Sequence, residues 1–144
     1  MVAQQNADNQ GLKITPMLNE IVELHKQCFP NKPWSESDFM ELKKSGCEIV
    51  SSKNGFIVWR TVADEAEIIT IGVAPDARRN GIAETMIILM EQELKKQNVV
   101  NVFLEVSEVN YPAIKLYEKM GFVVAGKRPK YYDGTDAIIM SKRI

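Results

Sequence analysis

The sequence predicts an α/β fold: a mixed, mostly antiparallel sheet of about seven strands with about four helices, built around one parallel strand–helix–strand unit. Three observations carry this. Ile68, Ile69, Ile71 and Val73 form a short β-branched run with apolar side chains on both faces, the pattern of a strand covered above and below. Pro75 ends it, and Arg78-Arg79-Asn80-Gly81-Ile82-Ala83 leads into a stripe of Ile82, Met86, Leu89, Met90 and Leu94 with helical spacing. Residues 99–106 are then a second apolar run, placed to return parallel to the first through a right-handed crossover.

The remaining elements follow in chain order. Residues 1–11 are polar rather than basic-then-apolar, so a loose tail is expected and not a targeting signal, with one domain over residues 12–144. Residues 12–14 suit a first strand. Thr15 and Pro16 suit an N-cap and first helical position, opening a helix to about Cys28 with Leu18, Ile21, Val22 and Cys28 inward. His25, the sole histidine, sits in that helix with no second ligand or nucleophile near it, so a structural or solvated role is expected. Phe29-Pro30-Asn31-Lys32-Pro33-Trp34 is a stiff connector. Ser35 with Asp38 caps a second helix, with Phe39 and Leu42 inward and Gly46 as its stop.

A hairpin should follow, residues 47–51 and 56–62, turning at Asn54-Gly55. Residues 63–66 bring the chain to the strand around Ile69. After the long helix, whose Lys95-Lys96 end suits its dipole, Asn98 marks the stop. Asn110-Tyr111-Pro112 opens a short helix that Met120-Gly121 closes, with Ala113, Tyr117 and Met120 on one face. Residues 122–126 and 136–140 close the sheet as an antiparallel pair, joined by a basic, aromatic loop over 127–134.

Composition narrows the function classes. The chain has 144 residues, 45% hydrophobic and 26% charged, enough for a core of its own. A formal net charge of −1 gives no broad basic field for nucleic acid or anionic membrane. Cys28 and Cys47 are the two cysteines, better suited to free thiols in a reducing compartment than to a disulfide framework. No apolar run approaches the roughly 18 residues of a membrane span, and a cytoplasmic protein is expected.

The chemistry concentrates at the turn after the first buried strand. N–H groups at a helix N-terminus, beside a glycine that admits a ligand and beside arginines, suit a pyrophosphate. Gly72 inside the strand signals a bulge or a close approach. Glu105 interrupts the second apolar strand on the face of Asn101 and Phe103, where a carboxylate is either an edge residue in water or a placed base. Tyr117 reads most simply as a core aromatic with its hydroxyl at a boundary. The lone histidine offers no metal site.

Taken together, this order of elements resembles the GNAT superfamily of acetyl-CoA-dependent N-acetyltransferases, over nearly the whole chain. Two motifs carry the resemblance in combination. Arg78, Gly81 and Ala83 meet the Gln/Arg-x-x-Gly-x-Gly/Ala turn, and Asn110, Ala113, Leu116, Tyr117, Gly121 and Phe122 meet the Asn-x-x-Ala-x-x-Leu-Tyr-x-x-x-Gly-Phe segment. Leu104-Glu105-Val106, the connector from Phe29 to Phe39 and the segment from Lys127 to Met140 look like the ribosomal-protein alanine N-acetyltransferases, the RimI type. Where many relatives carry an arginine and a Ser-Asn pair, this chain has Ser107-Glu108-Val109-Asn110.

The resemblance implies acetyl-CoA as co-substrate, no metal, and a protein N-terminus as acceptor, that of a ribosomal protein with N-terminal alanine. It implies Glu105 as general base and Tyr117 as general acid. Ile71, Gly72 and Val73 would hold the pantetheine and acetyl groups. Arg78, Arg79, Asn80, Gly81, Ile82, Ala83 and Glu84 would cradle the pyrophosphate, and Asn110 would touch the cofactor. Phe29, Tyr131 and Tyr132 would line the peptide N-terminus. Two alternatives stand beside it: an acetyltransferase for a small amine or lysine, and a non-catalytic acyl-CoA-binding module, against which Glu105 and Tyr117 argue.

Overall fold

The structure, a computed structural model, describes residues 17–132 and 134–144. The expected tail, the strand over 12–14 and the Thr15-Pro16 helix start lie outside them. Among the described residues the sheet has six strands, hydrogen-bonded in the order β1-β2-β3-β4-β6-β5 defined below, and there are four α-helices. Two compact units divide these residues: 17–60 with Ile69–Met90, and Thr61–Ile68 with Glu91–Ile144.

The first unit opens with α1 (Leu18–Cys28), with Met17 in extended backbone at the N-cap position and no side-chain cap bond. Ile21, Leu24 and His25 are its buried residues. In α2 (Glu36–Lys44) the expected capping box is complete: Asp38 N–H donates to Ser35 Oγ at 3.1 Å, and Ser35 N–H to Asp38 Oδ2 at 2.8 Å. Gly46 follows at φ +94°, and β1 (Glu48–Ser52) begins. Ser52 pairs with Gly55 at the head of β2 (Gly55–Val62), so the hairpin turns at Lys53-Asn54 and not at Asn54-Gly55. Gly55 is required for a different reason: a Cβ there would meet Ile82 Cγ2 at 3.0 Å and the Gly72 carbonyl oxygen at 3.1 Å. Ile21, Leu24, Phe39, Cys47, Ile49, Phe56, Val58 and Ala74 form the core of this unit.

β3 (Glu65–Val73) starts two residues earlier than expected, after a turn in which Ala63 takes φ +56°. The single turn of 3-10 helix over Pro75–Ala77 precedes α3 (Ile82–Lys96). Along α3, Met86, Met90 and Leu94 are fully buried as expected, and Ile87 joins them.

In the second unit the start of β3 runs parallel to β4 (Asn101–Ser107), with Ala66 opposite Val102. β4 alternates strictly: Val102, Leu104 and Val106 are buried, while Asn101, Phe103, Glu105 and Ser107 are partly exposed. α4 (Tyr111–Lys119) is N-capped by Asn110 and followed by Gly121 at φ +94°. β5 (Val123–Tyr132) and β6 (Thr135–Arg143) are longer than the sequence suggests. Most of the expected 127–134 loop is therefore strand. β5 lies at the end of the sheet order, where Pro129 removes no ladder bond that a neighbour needs. Its register shifts between Arg128 and Tyr132 absorb the proline, and the Lys130 N–H is satisfied by Asp136 Oδ1 at 2.9 Å. A Lys142 ammonium bonded to both Glu91 carboxylate oxygens, at 3.1 and 2.9 Å, makes a mostly buried ion pair between β6 and α3.

Candidate active site

The turn after β3 is held from within. Arg78 Nε donates to the Val73 carbonyl at 3.0 Å, and Asn80 Nδ2 donates to the Ala77 carbonyl at 3.1 Å. Arg79 and Gly81 both take left-handed backbone, at φ +68° and +74°. At Gly81 a Cβ would meet nothing within 4 Å, so the open side of the turn is space that a ligand can enter. The Gly81 carbonyl accepts from Thr85 N–H at 3.0 Å and Thr85 Oγ1 at 2.9 Å, starting α3 here and leaving Ile82, Ala83 and Glu84 as its first turn. The N–H groups of a first turn have no intrahelical partner. A hollow of about 310 Å³ adjoins the turn, lined by Ser52, Lys53, Asn54, Asn80, Ile82, Thr85 and Met86.

Upstream, Ile71, Gly72 and Val73 end β3. The close approach that Gly72 signals is real: a Cβ there would lie 2.8 Å from Phe56 Cε1 and 2.9 Å from Cys28 Sγ. Burial pushes the Cys28 thiol up from its ordinary value, against the Arg78 guanidinium beside it. His25 is structural. It is 2% exposed, stacks on Trp34 at 4.6 Å, and accepts the Trp34 N–H at Nδ1 over 3.1 Å. Phe29, exposed at the end of α1, lies 4.8 Å from the same imidazole.

In the second unit, β4 is an interior strand of the sheet, which removes the edge explanation for Glu105. Its side chain is 18% exposed. Oε1 accepts from Arg128 Nη2 at 2.7 Å, whereas Oε2 is buried with no hydrogen-bond partner among the described residues. A buried carboxylate oxygen without a donor is costly unless something else supplies one. Tyr117, 7% exposed, packs edge-on to Phe122 at 5.8 Å. Asn110 spends its Oδ1 on the Ala113 N–H at 3.4 Å, so its side chain is fixed as a helix cap. Tyr131 and Tyr132 are the last two residues of β5, with Tyr132 opposite Thr135. Arg128 is the site neighbour that the sequence did not single out. Its signal was a basic residue in a family-like segment that reads as a loop.

The sequence model of the Acetyltransferase (GNAT) family matches residues 18–122, which takes in both the glycine turn and the strand of Glu105. The chain belongs to the GNAT acetyltransferase family. This GNAT enzyme is 36% identical over 118 residues to the [ribosomal protein bS18]-alanine N-acetyltransferase of Escherichia coli strain K12, covering 76% of this chain and 80% of that one. It is 38% identical over 80 residues to an N-alpha-acetyltransferase of Saccharolobus solfataricus, covering 54% of this chain and 48% of the other. The crystal structure of the ribosomal-protein-S18-alanine N-acetyltransferase from Escherichia coli superposes with a TM-score of 0.82 at 30% identity, over 92% of each chain. The GNAT fold and acetyltransferase activity expected from the motifs are thereby established.

Proposed function

We propose that the protein transfers the acetyl group of acetyl-CoA to the N-terminal α-amine of a protein, that of a ribosomal protein beginning with alanine. The observation that carries this is Glu105: a mostly buried carboxylate with one oxygen fixed by Arg128 and the other unpartnered. Such a carboxylate, fixed on one side and not fully satisfied on the other, suits a proton leaving an amine. Deprotonating an α-amine of pKa near 7.7 to 8.0 costs about 1 kcal/mol at pH 7, against roughly 4 to 5 kcal/mol for lysine. A carboxylate base therefore serves an N-terminus more readily than a side-chain amine. The relatives named for alanine and N-alpha acetylation support the same acceptor.

In the reaction the amine nitrogen attacks the thioester carbon, Glu105 takes the amine proton, the C–S bond breaks, and Tyr117 protonates the departing thiolate. Products are the acetylated amine and free coenzyme A. The turn from Arg78 to Glu84 holds the pyrophosphate through first-turn N–H groups and arginine charge. N–H groups of Ile71, Gly72 and Val73 hold the pantetheine and stabilise charge on the thioester oxygen. Asn110 meets the cofactor, and Phe29, Tyr131 and Tyr132 meet the peptide. Residues 12–144 act as one catalytic domain behind a tail of residues 1–11, in the cytoplasm, without binding nucleic acid or membrane directly. Among the described residues no helix is long and apolar enough to cross a membrane.

The test is thiol release from acetyl-CoA with a peptide beginning Ala, beside a lysine-containing peptide with a blocked N-terminus, polyamines and aminoglycosides. Intact mass should show one added acetyl group confined to the α-amine. Turnover only on the small amines or the lysine would replace the acceptor. Tight acetyl-CoA binding with no turnover on any amine would leave a binding module.

A further inference from the structure

We infer that Arg128 is a positioning residue for Glu105, holding one carboxylate oxygen so that the carboxylate keeps one orientation as a base. The inference rests on the reading of Glu105 as base. The register shows how the contact is made. Ser107 on β4 and Arg128 on β5 both face Ala137 of β6, so Glu105 and Arg128 share one face of the sheet with β6 between their strands. Two strand spacings amount to about 10 Å. A long guanidinium reaching over the small Ala137, which is fully buried, spans it.

The segment around Arg128 is pinned on both sides. Lys127 Nζ pairs with Glu108 at 3.5 Å and Asp136 at 3.4 Å, and the Lys130 N–H donates to Asp136. Lys130 takes φ +53°, so the backbone there is over-determined by its partners. The Arg128 side chain itself is 52% exposed. A half-exposed ion pair adds little to stability, so its consequence lies in geometry. With Oε1 committed at 2.7 Å the carboxylate plane cannot turn, and Oε2 keeps one orientation. A base whose carboxylate is already oriented before substrate arrives has less reorganisation left at the moment of proton transfer.

The test is a double-mutant cycle on the full chain, with an alanine-starting peptide as acceptor and acetyl-CoA saturating. Arg128→Met should lower kcat at least tenfold while the peptide KM and the acetyl-CoA Kd stay within twofold. Arg128→Lys should recover part of the loss, since an ammonium can still donate to Oε1. In a Glu105→Gln background, Arg128→Met should change kcat less than twofold, because the group it positions is gone. A rise in peptide KM with kcat unchanged would instead make Arg128 a substrate contact and overturn the inference, as would equal loss in both backgrounds. Glu105→Gln with full kcat would sink the base and this inference together. An impaired Glu105→Gln beside an unimpaired Arg128→Met would sink this inference alone.

Discussion

His25 illustrates how one buried side chain ties a helix to the connector after it. Its neutral imidazole accepts the Trp34 N–H, and burial holds its pKa below the ordinary 6.5, with the Asp38 carboxylate pulling the other way. The unfolded chain therefore takes up the proton first as pH falls. The stabilisation is complete above the unfolded value and is lost as pH drops through the folded one. His25→Phe fills the ring space but leaves the Trp34 N–H unpaired, at a cost of about 1–3 kcal/mol near neutral pH. In urea unfolding, the gap between the native protein and this variant should narrow from pH 7.5 to pH 5; a constant gap would place the proton elsewhere.

At the scale of elements, β3 and the turn beyond it use two glycines for two different reasons. Gly72→Ala drives a methyl into the Phe56 ring and Cys28 Sγ, which overpacking makes worth about 1–3 kcal/mol. Gly81→Ala meets no atom and acts through φ +74° alone, for about 1–2 kcal/mol. Adding Cys28→Ala should return part of the stability lost in Gly72→Ala and none of that lost in Gly81→Ala, as read by thermal melting. Elements with local signals were legible in the chain: the capping box of α2, the stripe of α3, and Asn110 and Gly121 around α4. What escaped depended on distant partners. Gly55 looks like a turn glycine until Ile82 and the Gly72 carbonyl press on it. Lys127 to Tyr132 look like loop because charge and proline hide a strand whose pairing, and whose Lys130 N–H acceptor, come from β6. Glu91, beside an apolar stripe, is buried only because Lys142 reaches it from 51 residues away.

For the molecule as a whole, the family was written in two motifs about thirty residues apart, but the state of Glu105 was not. Pattern left it balanced between a wet edge and a placed base; the strand order decided the first half by setting β4 inside the sheet. Binding of acetyl-CoA to the native state alone should stabilise the protein by about 2.7 kcal/mol at one hundred times Kd. The melting temperature should therefore rise by several degrees with acetyl-CoA and by much less with dephosphorylated pantetheine. Equal shifts would remove the pyrophosphate role from the turn at Arg78 to Glu84.

Both cysteines of the chain, Cys28 and Cys47, lie in the unit of residues 17–60 and Ile69–Met90, and Thr61–Ile68 with Glu91–Ile144 contains none. Cys47 is 7% exposed, and Cys28 carries a thiol whose ionisation is suppressed by burial. A maleimide or aryl disulfide added to the native protein is therefore a clock for one unit only. Labelling of the buried Cys47 records an opening of that unit, set against the partly exposed Cys28 within it, while the second unit stays chemically silent. Isotope exchange at backbone amides would time the second unit, and the two clocks read together would tell whether the halves of this enzyme breathe in step.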